Sequence, residues 1–260
     1  MTKVCDFDVE YIPYKGGLQG IAIDGDVFYA LRNIKDTKAG IPTYSAEEKG
    51  RIYTFNLATG EELSVSRDMD LGHQSLSIID TTEGKFFLTV GTTIGEEEGT
   101  TCVIISETFE MTETFRLIDT DKDYHRASVG YLDGFIYAVF NHKENKTKKL
   151  FLSWSLEDIR TGNYNNTINK FEFMGVKDEP MQDIEITKDL VYVLFGDTDK
   201  EPAKIVKFDF NGKFLGMINL FPTVDSSKLE PEGMARIDND LFVAFHQRTG
   251  NNTLSYLYRA

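Results

Sequence analysis

One phrase is written five times along this chain, and it constrains the fold more than any other feature. The copies are QGIAIDGDVFYAL from Gln19, QSLSIIDTTEGKFFLTV from Gln74, RASVGYLDGFIYAVF from Arg126, QDIEITKDLVYVLF from Gln182 and EGMARIDNDLFVAFH from Glu232. Successive anchors lie 55, 52, 56 and 50 residues apart, so five units account for about all 260 residues. Each phrase joins two short apolar runs, rich in Val, Ile, Phe and Tyr, through a turn pair such as Asp24-Gly25, Asp133-Gly134 or Asp238-Asn239. β-Branched and aromatic residues suit a pleated surface, and these pairs tolerate the positive φ of a tight hairpin.

A second hairpin follows each phrase. RIYTFNLATGEELSVSR (51–67), CVIISETFEMTETFRLI (102–118) and KIVKFDFNGKFLGMINL (204–220) alternate on either side of their turns, with Thr59-Gly60 and Asn211-Gly212 at two of the tips. The third unit is less regular over 149–173, yet occupies the same place. No segment sustains a 3.6-residue apolar period with a cap and a stop, so helix content is expected to be near zero.

Four antiparallel strands repeated about every 50 residues is the pattern of a β-propeller blade. The expected fold is all-β, a five-bladed β-propeller in one domain spanning 1–260. NTLSYLYRA (252–260) reads as the third strand of the fifth blade, and KVCDFDVEYI (3–12) alternates like a strand ahead of the first repeat. The N-terminal strand should therefore close the last blade from outside and cover an edge of unpaired backbone groups.

Composition narrows the partners. A formal net charge of −14 opposes nucleic acid, which demands clustered Lys and Arg. The one basic cluster, HKENKTKK (142–149), is broken by Glu144 and two Asn and reads as a solvated hairpin tip. No stretch approaches the ~18 apolar residues of a membrane span. MTKVCDFDVEYIPY lacks the apolar core of a secretory signal. The chain is thus expected to be cytoplasmic at synthesis, reaching a cell surface within a virion or by a non-classical export route. Cys5 and Cys102 read as two thiols in strands, and the sequons at Asn145, Asn165 and Asn251 matter only in a glycosylating pathway.

First strands of propeller blades run beside the central axis, so equivalent residues form rings. The anchor ring is Gln19, Gln74, Arg126, Gln182 and Glu232, all long and polar; the next ring, Gly20, Ser75, Ala127, Asp183 and Gly233, is mostly small. His73, His125 and Glu230 sit beside them. Two readings stand together: these groups satisfy backbone and trapped water along the axis, or they form a polar ligand or cation pocket at the channel mouth. Glu185 breaks its strand's alternation, and should face the channel or pair with a buried cation such as Arg126.

Other constellations carry less. DTDKD (119–123) opens like a calcium loop, but Tyr124 and Gly130 stand where an EF-hand needs Gly and Glu. GDTDKE (196–201) and GEEEG (95–99) read as hairpin tips. No GxSxG, Walker loop, HExxH or paired-Cys motif occurs, and GHQS (72–75) does not make a triad by adjacency.

LGHQSLSII (71–79), LQGIAIDGDVFYAL (18–31) and EPEGMARIDNDLFVAFH (230–246) resemble a loose group of five-bladed propellers. That group comprises helveticin J-type bacteriocins and the platform domains of receptor-binding proteins from phages of Gram-positive bacteria. The resemblance implies recognition of a bacterial cell-surface glycopolymer without chemistry upon it, and carries no specific contact residue. EPEG with MQDIEI (181–186) is also similar to metal-dependent propeller hydrolases, which implies a divalent ion such as calcium held by Glu230, Glu232, Asp183 and His73. A glycoside hydrolase would instead use two carboxylates about 5–10 Å apart, with Asp183 and Glu232 as the pair.

The expected function is a non-enzymatic binding propeller for a carbohydrate or cell-wall glycopolymer. Channel-mouth groups and loop aromatics such as Tyr14, Tyr44 and Tyr124 would supply affinity. The alternatives are the metal-dependent hydrolase and a protein–protein scaffold.

Overall fold

The computed structural model of the chain describes residues 1–9, 17–35, 48–71, 74–91, 99–118, 123–197, 202–223, 229–249 and 252–260. The described residues form five four-stranded antiparallel sheets. Blade 1 holds β2 (Leu18–Asp24), β3 (Val27–Lys35), β4 (Glu48–Asn56) and β5 (Glu62–Val65). Blade 2 holds β6 (Leu76–Thr81), β7 (Gly84–Val90), β8 (Thr101–Ser106) and β9 (Met111–Arg116). In blade 3 come β10 (Tyr124–Leu132), β11 (Phe135–His142), β12 (Lys148–Ser155) and β13 (Asn169–Met174). Blade 4 is β14 (Met181–Ile186), β15 (Val191–Phe195), β16 (Lys204–Phe208) and β17 (Phe214–Asn219). Blade 5 combines β18 (Leu229–Ile237), β19 (Asp240–Thr249) and β20 (Asn252–Arg259) with β1 (Thr2–Phe7) from the other end of the chain.

First strands pack on one another in a closed ring: β2 on β6, β6 on β10, β10 on β14, β14 on β18 and β18 on β2. The molecule is a five-bladed β-propeller, as the spacing of the repeat requires. Closure is as expected too. β1 runs antiparallel to β20, with Thr2 opposite Arg259 and Phe7 opposite Ser255.

Five apolar clusters fill the wedges between adjacent blades, one per interface. The wedge between blades 5 and 1 shows why closure matters. Phe7 of β1 meets Phe28 at 5.0 Å and Phe55 at 5.3 Å between ring centroids, with Cys5 and Val9 buried around them. Near the axis the backbones crowd. A Cβ on Gly20 would lie 2.7 Å from the Ser75 carbonyl carbon, and one on Gly233 2.7 Å from Ile21 N. The small-residue ring is a steric necessity.

One element departs from expectation: α1 (Leu156–Arg160) lies between β12 and β13. Ser155 caps it, its Oγ accepting from Asp158 N at 3.0 Å, and Trp154 Nε1 donates to Tyr164 O at 2.7 Å beside it. A five-residue turn of helix is too short to show a period, so the sequence pattern passes over it. Among the described residues no helix is long and apolar enough to cross a membrane.

Candidate channel-mouth site

The anchors share a backbone feature that composition does not reveal. Pairing between β2 and β3 passes from Leu18 to Gly20 and leaves Gln19 as an extra residue. The same slip leaves out Arg126 in β10, Gln182 in β14 and Glu232 in β18. Four anchors are therefore β-bulge residues, and a bulge turns its side chain away from the alternating faces of the strand. Gln74 stands just before β6, and it and Ser75 adopt φ of 73° and 69°. Arg126 has a φ of 45°. Left-handed backbone at non-glycine residues is sparsely populated and persists where the surroundings hold it.

What holds it is a polar lock across the axis. Asp183, 1% exposed, accepts from Ile184 N through Oδ1 and from Met234 N through Oδ2, both at 2.8 Å. Its carboxyl also bonds the Ser75 hydroxyl. Ser75 Oγ accepts from Val129 N at 3.0 Å, and Ser75 N donates to Gln19 O at 3.0 Å. The Asp183 carboxyl and the Ser75 hydroxyl tie β14, β18 and β10 to the start of β6, and the Ser75 amide adds β2, so every blade is represented. Burial pushes the Asp183 carboxyl up to about 7, while the bonds from Ser75, Met234 and Ile184 pull it down.

Beyond the lock, the anchor end opens into a cleft of about 470 Å³ that includes Gln74, His125 and Arg126 among its walls. Gln74 Nε2 donates to Met181 O at 2.9 Å, and Asn141 Nδ2 to Arg126 O at 2.9 Å, which fixes two sides. The hairpin 142–149 is present, but it is a wall as well as a tip. His142, Lys143, Lys146 and Lys149 all line the cleft. His142 Nδ1 accepts from Glu144 N and Asn145 N, so the neutral ring carries its proton on Nε2. Lys149 is 2% exposed, and burial pushes its amine down to about 8. Glu179 completes the floor. Its Oε1 receives Lys204 Nζ in a buried ion pair, while Oε2 is buried without a hydrogen-bond partner.

The other end of the channel is narrower, a cavity of about 160 Å³ containing Glu185 and Arg236. Glu185 Oε1 lies 3.9 Å from Arg236 Nε, so its cation is the neighbouring blade's arginine and not Arg126, which is exposed at the opposite mouth. Burial first and the Asp183 charge second push the Glu185 carboxyl up to about 8, against the pull of Arg236. Both carboxyls prefer the proton when folded. Their stabilising contribution is complete below the unfolded carboxylate range, about pH 4, and is lost as pH rises through about 7 and 8. The melting temperature should accordingly be higher near pH 5 than near pH 8, and Glu185→Gln should flatten the upper part of that decline. A profile that is flat or rises across this window in differential scanning calorimetry would contradict the assignment.

Of the nine candidate residues, Gln74, His125 and Arg126 line the cleft. Gln182 donates to Gly196 O at 2.9 Å and to Glu230 Oε1 at 3.2 Å, which fixes Glu230 beside the mouth. Glu232 is buried, Gln19 is half-buried with its amide on Leu18 O, and Asp183 belongs to the lock. His73 lies outside the described residues, as do Tyr14, Tyr44, most of DTDKD and most of GEEEG. Tyr124 is not a loop aromatic. It is 6% exposed in the wedge between blades 2 and 3, and its hydroxyl donates to Glu172. Sequence reasoning missed Lys149, Glu179 and the hydroxyl of Ser75, and a lysine at an inward strand position was the one signal available. Among the described residues no three His, Cys, Asp or Glu side chains gather to hold a metal. Of the four residues expected to hold a divalent ion, His73 lies outside the described residues and Asp183 already accepts a backbone N–H at each carboxyl oxygen.

No protein-family model and no curated protein matches the chain. Solved structures do, at the level of fold. The chain is similar to the Bacteroides ovatus xyloglucan PUL GH43B (TM-score 0.60, 12% identity, covering 98% of this chain and 54% of that one). It is similar to a GH43 β-1,3-galactosidase (TM-score 0.57, 10% identity, 94% and 59%). It is also similar to an Aleuria aurantia lectin mutant in complex with α-methyl-L-fucoside (TM-score 0.51, 8% identity, 96% and 93%). The chain thus spans only a little over half of the first two. At these identities the likeness concerns the propeller alone.

Proposed function

We propose that this propeller recognises a carbohydrate without catalysis, with a cell-surface glycopolymer of the kind the helveticin J-type and phage platform resemblance implies as its ligand. The observation that carries the reading is the cleft, where Gln74, His125 and Arg126 meet His142 and Lys149 in about 470 Å³. Fixed amide, imidazole and cationic donors around a concave site suit sugar hydroxyls and ring oxygens. A GH43 β-1,3-galactosidase and a lectin holding α-methyl-L-fucoside share the fold, which supports a sugar as ligand.

A glycan array probed with the intact chain should show selective enrichment, and Arg126→Ala with Gln74→Ala should weaken it at least ~10-fold while the fold stays cooperative and loses no more stability than the Gln74–Met181 bond supplies, about 1 kcal/mol. An array with no enrichment would sink the proposal. The hydrolase reading keeps one observation in its favour, the carboxylates Glu230 and Glu232 beside the mouth. Reducing-sugar release from an enriched glycan, abolished by Glu232→Gln, would move the assignment to that class.

A further inference from the structure

The wall of the cleft runs against the charge of the chain. Among the described residues that line it are four of the chain's 28 Lys and Arg and two of its four His, against three of its 42 Asp and Glu. An even spread over a chain of net charge −14 would put more carboxylates there than cations. Of the three acids, Glu179 is already held by Lys204 in the buried ion pair. Arg126, Lys143 and Lys146 stand exposed, and His125 and His142 half-buried. Charge elsewhere on the surface is screened beyond about 8 Å at physiological salt, so a group entering the cleft meets this local set.

Lys149 shows what the wall lacks. It lies on β12 between Asn141 of β11 and Phe173 of β13, and is 2% exposed. A Cβ on Gly175 would lie 3.3 Å from its Cε and 2.8 Å from a Phe195 ring carbon, so glycine leaves stem and ring their room. Its Nζ donates to the Lys146 carbonyl, and no carboxylate among the described residues pairs with it. Burial displaces the amine only to about 8, so at neutral pH it is still mostly protonated. A buried ammonium with a carbonyl and no counter-ion is costly, and an anion in the adjoining cleft would offset that cost. Lys146 is itself exposed on the same wall, with no carboxylate partner among the described residues.

We propose that the glycan taken by this cleft is negatively charged, its phosphate or carboxylate group set against Lys146 and Lys149, with Lys149 selecting for the charge. The inference rests on the carbohydrate reading above and adds the class of sugar. A neutral sugar leaves the Lys149 charge uncompensated. An anionic one supplies its counter-ion in a concave site, where less water screens the attraction.

The test is a glycan array with neutral, uronate-bearing and phosphate-bearing arms, probed with the intact chain at about 50 and about 500 mM NaCl. Enrichment should fall in the uronate or the phosphate arm, which names the anion, and should drop at least ~10-fold at the higher salt. Lys149→Met keeps most of the stem and removes the charge. It should cut that binding at least ~10-fold while the melting temperature holds or rises, because the uncompensated ammonium is gone. Lys146→Gln, at an exposed position, should weaken binding about 3-fold with the fold unchanged, and carries the test if Lys149→Met does not fold. Enrichment confined to neutral glycans, or anionic binding that neither salt nor these variants lower, would overturn the proposal and leave the carbohydrate reading standing. An array without enrichment in any arm would remove both.

Discussion

Asp183→Ala is expected to destabilise the fold by roughly 3–5 kcal/mol. The substitution strands the Ile184 and Met234 amides and removes the partner of the Ser75 hydroxyl, all at the crowded axis where no side chain can swing in. A buried donor left without an acceptor costs about 1–3 kcal/mol, and two amides and a hydroxyl lose theirs together. Relief of the carboxyl's own burial, visible in its displacement to about 7, returns part of that loss. Asp183→Asn keeps one carbonyl for one amide, so it should fall between the parent and the alanine variant. Ser75→Ala should be milder again, because it frees only Val129 N and one side of the Asp183 carboxyl. Urea unfolding followed by tryptophan fluorescence is a direct measure, as Trp154 is fully buried. A loss below about 1 kcal/mol for Asp183→Ala would mean that the lock does not hold the blades.

Removal of residues 1–9 should abolish monomeric folding. The deletion takes β1 away from β20 and leaves that strand as an open edge on blade 5. It also opens the wedge between blades 5 and 1, where Cys5, Phe7 and Val9 are buried and Phe7 packs on Phe28 and Phe55. Phe7→Ala alone should cost about 3–5 kcal/mol by cavity formation. The deletion adds the loss of a whole strand ladder to that. Aggregation through the uncovered edge is the expected outcome on expression. A synthetic peptide of residues 1–12 added during refolding should restore soluble protein, since the strand closes the ring by contact alone. A soluble, cooperatively folding truncated chain would show that the ring is closed by other means.

How much of this was legible beforehand follows from where each signal sits. The blades were readable because a strand hairpin writes its period and its turn residues locally, as in IAIDGDVFYA, and five copies at even spacing leave little besides a ring. Closure by the N-terminal strand was readable for the same reason, from a blade one strand short. The small ring of Gly20 and Gly233 followed from crowding at an axis. The helix 156–160 was not readable, because one turn has no period. Tyr124 looked like a loop aromatic beside an acidic stretch, and only packing between blades 2 and 3 placed it inside.

The sequence by itself determined the number of blades, the ring and the row of polar anchors, since these depend on residues near one another along the chain. Tertiary structure alone decided what the anchors do. Bulges turned Gln19, Arg126, Gln182 and Glu232 off their strand faces. Hydrogen bonds between strands some 50 residues apart made Asp183 and Ser75 a structural lock, although Asp183 had stood among the site candidates. Lys149 and Glu179 met in one cleft because two blades converge there. Such contacts depend on angles and distances between separate sheets, which no local pattern of side chains encodes.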